Sequence, residues 1–331
     1  MILHLDNSIP KNTLSAYVKN TNSFVNKKDS YIQLINSSSY KSETEKLANY
    51  VIDKFVFKDD IQLASINYKQ HKSIPINNIT IGRNSIDFPI IMGPCSVESE
   101  KQVEEIADFL VQNNLNCIRA GAFKPRTSPY SFQGLESEGL KILKNISSKK
   151  NLTTFSEAKD ATQIQELILN ADVIQVGTKS MYDQGILKAL SKTNKPVLLK
   201  RGFSSTLQEF VQAAEFILSG GNENVILCER GIRTFEDKTR FTLDLCGVAW
   251  LKEHTNLPII IDPSHALGFS YGIIDLSKAA VAMGIDGLLI EIHPNPSKAL
   301  SDAQQQLDLT HAKQLIDTVI PLLELEKRKL V

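Results

Sequence analysis

Long apolar runs are missing from this chain of 331 residues. None approaches the roughly 18–20 residues that a membrane-spanning helix needs. The opening Met1-Ile2-Leu3-His4-Leu5-Asp6 has no basic stretch leading into an apolar core, so no secretory signal is expected. Net charge is missing as well: 37 Lys and Arg balance 37 Asp and Glu. That removes the global electrostatic reason to expect nucleic acid or an anionic membrane as a partner. Cysteine is scarce. Cys95, Cys117, Cys228 and Cys246 form no CxxC pair, and four in so long a chain make no disulfide scaffold. A reduced cytoplasm is the expected compartment, and small buried hydrophobes are the plain reading of the thiols. Glycine is almost absent from residues 1–88, where Gly82 stands alone; the other fifteen lie beyond.

The remaining composition, 42% hydrophobic and 22% charged, is that of a globular chain and excludes disordered, collagen-like and coiled-coil classes. Ile2–Leu5 and Tyr31–Ile35 read as short strands. Apolar spacing predicts helices over Thr13–Phe24 and Glu43–Phe57. Residues 1–70 are thus expected to form a small α+β domain. Residues 71–88 are expected to hold a linker and a β-hairpin at 74–88 that caps the bottom of the C-terminal domain.

From residue 89 a pattern repeats. Apolar runs fall at Pro89–Cys95, Cys117–Ala122, Leu152–Ser156, Val173–Gly177, Pro196–Lys200, Asn224–Cys228, Leu257–Asp262 and Gly287–His293. They are apolar on both faces, as strands buried on both sides must be. Helical periodicity separates them, over Ser99–Gln112, Ser137–Ser148, Thr162–Asn170, Asp183–Ser191, Thr206–Ser219, Phe241–His254 and Leu276–Met283. An eighth helix is predicted over Leu309–Leu330. Eight strand–helix units predict a (β/α)8 barrel over residues 89–331. A doubly wound open sheet is the alternative, but no GxGxxG follows the first strand.

Barrel chemistry sits at the C-terminal ends of the strands. Two sets of residues stand there. The first is Cys95, His265, Glu291 and Asp302: a thiol, an imidazole and two carboxylates. Their mixed S, N and O character suits a borderline divalent ion such as Mn, Fe, Zn or Co. Any one of them alone reads equally well as a hydrogen-bonded structural residue. The second set is cationic: Arg119, Lys124, Arg126, Lys179, Lys200, Arg201, Arg230 and Arg233. These are either solvated charges paired with nearby Glu or a site for more than one phosphate or carboxylate group. Arg119 and Lys200 lie inside strand ends, where an unpaired charge is costly, which favours the second reading.

Six motifs carry a family resemblance: Gly93-Pro94-Cys95-Ser96, Lys124-Pro125-Arg126-Thr127-Ser128, Leu198-Leu199-Lys200-Arg201-Gly202, Cys228-Glu229-Arg230-Gly231, Asp262-Pro263-Ser264-His265 and Ala299-Leu300-Ser301-Asp302. In colinear order over about residues 74–331 they resemble 3-deoxy-D-arabino-heptulosonate 7-phosphate (DAHP) synthase, in its short bacterial type I beta form. The resemblance implies a (β/α)8 barrel with a ferredoxin-like N-terminal domain. It implies a metal-dependent condensation of phosphoenolpyruvate with erythrose 4-phosphate and water, the first step of the shikimate pathway. By the same resemblance Cys95, His265, Glu291 and Asp302 are the metal ligands. Arg119, Lys124, Lys200 and Arg230 surround phosphoenolpyruvate, and Lys124, Arg126 and Thr127 meet erythrose 4-phosphate. Lys124 is the candidate proton donor. Many relatives read Gly-Ala-Arg where this chain has Gly177-Thr178-Lys179, so Lys179 keeps the charge and loses the fork.

The resemblance also implies a homo-oligomer, usually a tetramer. It further implies feedback by an aromatic amino acid through residues 1–70, placed over the barrel mouth. A fused chorismate mutase, found in some relatives, needs three long helices, and Asn36-Ser37-Ser38-Ser39 is poor helix material. Two rivals remain. One is 3-deoxy-D-manno-octulosonate 8-phosphate synthase, which typically has Lys-Ala-Asn-Arg-Ser at 124–128. The other is a catalytically silent metabolite-sensing barrel, which need not keep all four ligands.

Overall fold

The computed structural model describes residues 1–39, 44–124 and 128–331. Its N-terminal part holds β1 (Ile2–Leu5), a helix over Lys11–Thr21, β2 (Phe24–Lys27), β3 (Ile32–Ile35), a 3-10 turn over Thr44–Tyr50 and β4 (Val51–Phe55). The strands form an antiparallel sheet in the order β2-β3-β1-β4, the ferredoxin-like order. β1 is buried on both faces. Leu3 and Leu5 pack with Leu34, Leu47 and Tyr17 on one side, while Ile2 joins the apolar cluster of the main body.

Two helix expectations are revised in this part. Of the helix foreseen over 43–57, the described residues hold only a 3-10 helix over Thr44–Tyr50, and the second half is a strand (Glu43 lies outside the described residues). A short turn leads into β4, which pairs with the open edge of β1. β-Branched Val51 and Ile52 suit a strand, and a free sheet edge overrides local helical spacing. The first helix stops at Thr21 because Asn22 turns left-handed at φ 51°, which frees residues 24–27 to become β2.

Next come β5 (Ser73–Ile76), β6 (Ile79–Gly82) and β7 (Asp87–Phe88). The hairpin is β5–β6 alone, turning at Asn77 with φ 52°. Eight strands then close into a parallel barrel: β8 (Ile90–Gly93), β9 (Cys117–Arg119), β10 (Thr153–Ala158), β11 (Val173–Val176), β12 (Val197–Lys200), β13 (Val225–Glu229), β14 (Ile259–Ile261) and β15 (Leu288–Glu291). A helix follows every one of them. The last, Leu309–Leu325, ends five residues before the expected boundary, and β16 (Lys329–Leu330) pairs in parallel with β7 instead. The helix expected from Phe241 starts at Leu245, where the Asp244 carboxylate caps it by accepting from the Gly247 amide.

The barrel interior is layered. Ile91, Cys117, Phe155, Val173, Leu198, Ile226, Ile260 and Leu289, one from each strand, form an apolar floor. Ile74, Ile76, Ile79 and Ile81 of the hairpin seal it from below. Side chains on a strand face one way every second residue. The next inward positions are therefore Gly93, Arg119, Glu157, Gln175, Lys200, Cys228, Asp262 and Glu291. Above an apolar floor stands a layer dominated by charge.

The N-terminal sheet does not lie over the barrel mouth of its own chain, contrary to expectation. Its contacts are with the lower end, where the helices return to the strand starts. Asn26 Nδ2 donates to Ser219 O (3.1 Å), Lys28 pairs with Glu223, and Asn256 Nδ2 donates to Leu63 O (3.0 Å) and Ser65 O (2.9 Å). The chain between sheet and hairpin is gripped by Glu215 on the Leu207–Ser219 helix. One carboxylate oxygen accepts from the amides of Gln62 (2.6 Å) and Ala64 (2.8 Å). Burial pushes the Glu215 carboxyl up to about 7, despite those amides and nearby Lys72. Burial likewise brings the Lys72 ammonium down to about 8, against the pull of Glu223 and Glu215.

Between the ordinary carboxylate range and pH 7, folded Glu215 holds a proton that the unfolded chain has released. Its contribution to stability therefore falls as pH rises through that window and levels off above it. Glu215→Gln, which keeps the carbonyl acceptor, is expected to flatten the fall in melting temperature between pH 5 and 7. Thermal unfolding of both chains across that range measures it.

Candidate active site

Cys95 follows β8 and is fully buried. Its Sγ lies 3.1 Å from Asp302 Oδ2 and 3.0 Å from the donating Nζ of Lys124. Lys124 Nζ also donates to Cys95 O (3.0 Å). Ligand atoms of Cys95, Glu291 and Asp302 all lie within 4.8 Å of one another. His265 stands at the edge of this triad: Nε2 is 3.4 Å from Glu291 Oε1, and Nδ1 meets Asp262 Oδ2 at 2.7 Å. Asp262 also caps the short Pro263–Leu267 helix by accepting from the His265 amide (3.0 Å). That carboxylate fixes the imidazole so that Nε2 faces the triad, the usual support of a metal-bound histidine. Asp302 sits in the left-handed region at φ 48°, which Asp tolerates better than most residues and which turns its carboxylate back toward β8. One soft sulfur, one imidazole and two carboxylates fit a borderline divalent ion.

Burial drives the Cys95 thiol up to about 12, helped by Glu291 and opposed by Lys124. The Asp302 carboxyl is held well below the usual range: His265, the Cys95 hydrogen bond and Arg240 outweigh its burial. Glu291 is lowered too, its burial offset by His265 and Arg119. Lys124 is raised; burial works against its charge, and the field of Cys95 and nearby carboxylates overcomes it.

The cationic set divides by what each member touches. Arg119 is 1% exposed; its Nη1 donates to Glu291 Oε1 (2.6 Å) and Pro94 O (2.9 Å). Lys200 Nζ lies 3.5 Å from Asp262 and 3.8 Å from Glu157. Arg201 is committed to structure, holding Glu229 and Asp244 at 2.8 Å each. Arg233 is exposed and lies over the Phe203 ring, 4.5 Å from its centre. Lys179 is exposed beyond β11. Among the described residues Arg119 and Arg201 each leave one buried donor, Nε, without a partner; Arg230 leaves two. Arg230 is 4% exposed, stacks 4.3 Å over Phe241, and leaves its Nε and Nη1 without a partner among the described residues. Two buried, unmade donors on a cation call for an anionic ligand. Arg126 and Thr127 lie outside the described residues.

Sequence reading left several residues here without a role. Glu157, Gln175 and Asp262 could have been found by counting two residues past the floor layer. Gln305 and Gln306, which reach Glu291 and the Cys95 amide respectively, had no such signal. Close approach also explains two glycines. A Cβ at Gly93 would meet Arg119 O at 1.9 Å, and one at Gly177 would meet Glu157 Oε1 at 2.4 Å.

Fold and site together define a (β/α)8 barrel enzyme for anionic substrates, with a donor set suited to a divalent metal. Comparison with known proteins gives the particular case. Residues 63–324 match the DAHP synthetase I family. The phospho-2-dehydro-3-deoxyheptonate aldolase of Thermotoga maritima is 44% identical over 243 residues, covering 73% of this chain and 71% of the relative. The crystal structure of the Thermotoga maritima DAHP synthase superposes over 100% of this chain and 99% of that one, with TM-score 0.81 and 36% identity. A truncated form of that enzyme covers 81% of this chain and 98% of its own, with TM-score 0.75 and 37% identity. More distant is the 2-dehydro-3-deoxyphosphooctonate aldolase of Magnetococcus marinus, 27% identical over 274 residues and covering 77% of this chain and 94% of that protein. The chain belongs to the DAHP synthetase I family. Its reaction is the condensation of phosphoenolpyruvate with erythrose 4-phosphate and water to give DAHP and phosphate, at the entry to the shikimate pathway. Members of the family are generally metal-dependent. Among the described residues no helix is long and apolar enough to cross a membrane.

Arg119 and Glu291 form a buried ion pair, and removing one partner strands the other charge. Arg119→Met is therefore expected to lower the stability of the metal-free protein by about 3–5 kcal/mol. Urea unfolding monitored by fluorescence or circular dichroism measures the loss.

Proposed function

We propose that Cys95, His265, Glu291 and Asp302 hold the divalent metal, drawn from Mn, Fe, Zn and Co, and that the surrounding cations orient both substrates. When bound, the ion supplies a Lewis acid for the aldehyde oxygen of erythrose 4-phosphate. Arg119, Lys124, Lys200 and Arg230 surround phosphoenolpyruvate, with Arg230 giving its free donors to the phosphate. Lys124, Arg126 and Thr127 hold erythrose 4-phosphate, and Lys179 adds charge without a fork. Cys95 and His265 act in catalysis as ligands. Lys124 delivers a proton to the aldehyde oxygen as C3 of the enol phosphate bonds to the aldehyde carbon. The cations keep the phosphates still while water adds at C2 and phosphate departs.

The observation that carries this reading is the meeting of a buried thiol and two carboxylates within 4.8 Å of one another, with the thiol in hydrogen-bond range of both Asp302 and the Lys124 ammonium. The test is phosphate release from phosphoenolpyruvate with erythrose 4-phosphate or arabinose 5-phosphate, before and after exhaustive chelation. Activity is expected with the four-carbon sugar alone and only with metal present. Cys95→Ser is expected to abolish or severely weaken it, because a hydroxyl is a poor substitute for thiolate on a borderline ion. Full turnover after chelation overturns the metal reading.

Residues 1–70 supply regulation in this proposal, with tyrosine or phenylalanine as the feedback ligand. The enzyme works in the cytoplasm as a homo-oligomer, a tetramer by resemblance. Support comes from placement: all the proposed site residues lie beyond residue 93, on the barrel. Ile61, Leu63 and Ala64 pack into the barrel's own apolar cluster, so a clean truncation begins near residue 58. The truncated chain is expected to retain condensation and lose inhibition. Assays of both chains with each aromatic amino acid decide it. A folded but inactive truncation overturns the assignment, as does a full chain that ignores every aromatic amino acid.

A further inference from the structure

The segment that supplies Asp302 makes a second set of contacts with the triad. Gln305 is fully buried; its Nε2 donates to Glu291 Oε2 at 2.6 Å. Its Oε1 accepts from Arg240 Nη1 at 2.7 Å. The same Nη1 lies 3.6 Å from Asp302 Oδ1. On the other side, Glu291 Oε1 takes the Arg119 hydrogen bond. Both oxygens of one carboxylate are thus fixed by donors from opposite directions. An amide can present either end to a neighbour. Here the guanidinium can only donate, so it holds the carbonyl end of Gln305 and turns the NH2 end toward Glu291. Next in sequence, Gln306 accepts from the Cys95 amide (3.1 Å) and donates to Ser301 O (2.9 Å). The Arg240 backbone is itself pinned, its amide donating to Leu267 O (3.0 Å).

We infer that Arg240 and Gln305 are positioning residues for the metal. Arg240 sets the orientation of the Gln305 amide, and that amide sets the plane of the Glu291 carboxylate, leaving it directed at Cys95 and Asp302. The inference rests on the metal-site reading under Proposed function and extends it. Partners that orient a ligand without touching the ion typically govern metal affinity by 10–100-fold. Neither residue is asked to contact substrate, so loss of the relay should appear in metal binding before it appears in affinity for phosphoenolpyruvate.

The experiment titrates the full-length, metal-free chain with Mn2+ and Co2+ alone. Calorimetry gives the affinity, and the Co2+–thiolate absorption band reports Cys95 ligation. Gln305→Leu keeps the volume and removes the donor; it is expected to weaken binding of both ions by roughly 10–100-fold, with the thiolate band still reached at saturation. Arg240→Met is expected to weaken binding in the same direction, and Arg240→Lys to recover much of it. At saturating metal, the Michaelis constant for phosphoenolpyruvate is expected to stay near that of the parent while kcat falls. Arg240 is partly exposed, so its variants carry the test if Gln305→Leu does not fold. Parent-like affinity in Gln305→Leu, or in Arg240→Met where that is the chain in hand, overturns the relay. A parent chain that binds neither ion overturns the metal-site reading and the relay with it.

Discussion

A strand turns its side chains inward every second residue, and the barrel depends on that constraint. Phe155, Leu198, Ile260 and Leu289 build a dry floor; two residues on, Glu157, Lys200, Asp262 and Glu291 stand on it. Charges so placed cannot be left uncompensated, because each is removed from water on the floor side. Arg119 therefore meets Glu291, and Lys200 lies between Glu157 and Asp262. The layer is close to neutral within itself. What it lacks, among the described residues, are acceptors for two of the Arg230 donors, Nε and Nη1, while Nη2 reaches His265 O.

This arrangement separates two duties that cations share in such sites. Arg201 is engaged by Glu229, Asp244 and the Ser205 carbonyl, so it shapes the end of β12. Arg119 and Lys200 are held in place by acids, Glu291 for the one and Asp262 with Glu157 for the other. Lys124 is kept charged by its surroundings, and its ammonium is aimed at a defined point beside the Cys95 sulfur. Preorganised charge of this kind needs little rearrangement during reaction, which is the source of much electrostatic catalysis.

Much of the architecture was legible because buried parallel strands leave a plain record. All eight runs became barrel strands, since apolar residues on both faces admit few other fates. The triad was legible as residue types, Cys95 and Glu291 at strand ends and Asp302 in the loop after β15. What escaped depended on tertiary partners. Val51–Phe55 became a strand because β1 offered an edge, and no local signal in residues 43–57 records that edge. Gln305 and Gln306 lie in a loop, where spacing predicts nothing about which neighbour an amide will find. The place of the N-terminal sheet was set by Glu215 reaching the amides of Gln62 and Ala64, a match between distant segments.

The hold on that sheet has a mechanical consequence. Glu215 belongs to the helix after β12, and β12 ends in Lys200, with Arg201 next in the chain. One strand–helix unit therefore has its upper end among the cations of the barrel mouth and its lower end in the grip on residues 62–64. A helix of 13 residues is stiff over about 20 Å. That rod joins the place where the chain is gripped to the turn after Lys200, through the wall of the barrel and without entering its mouth. The fold thus joins its two poles by one stiff element, with the Lys200 ammonium near one end and the anchored segment of residues 62–64 at the other.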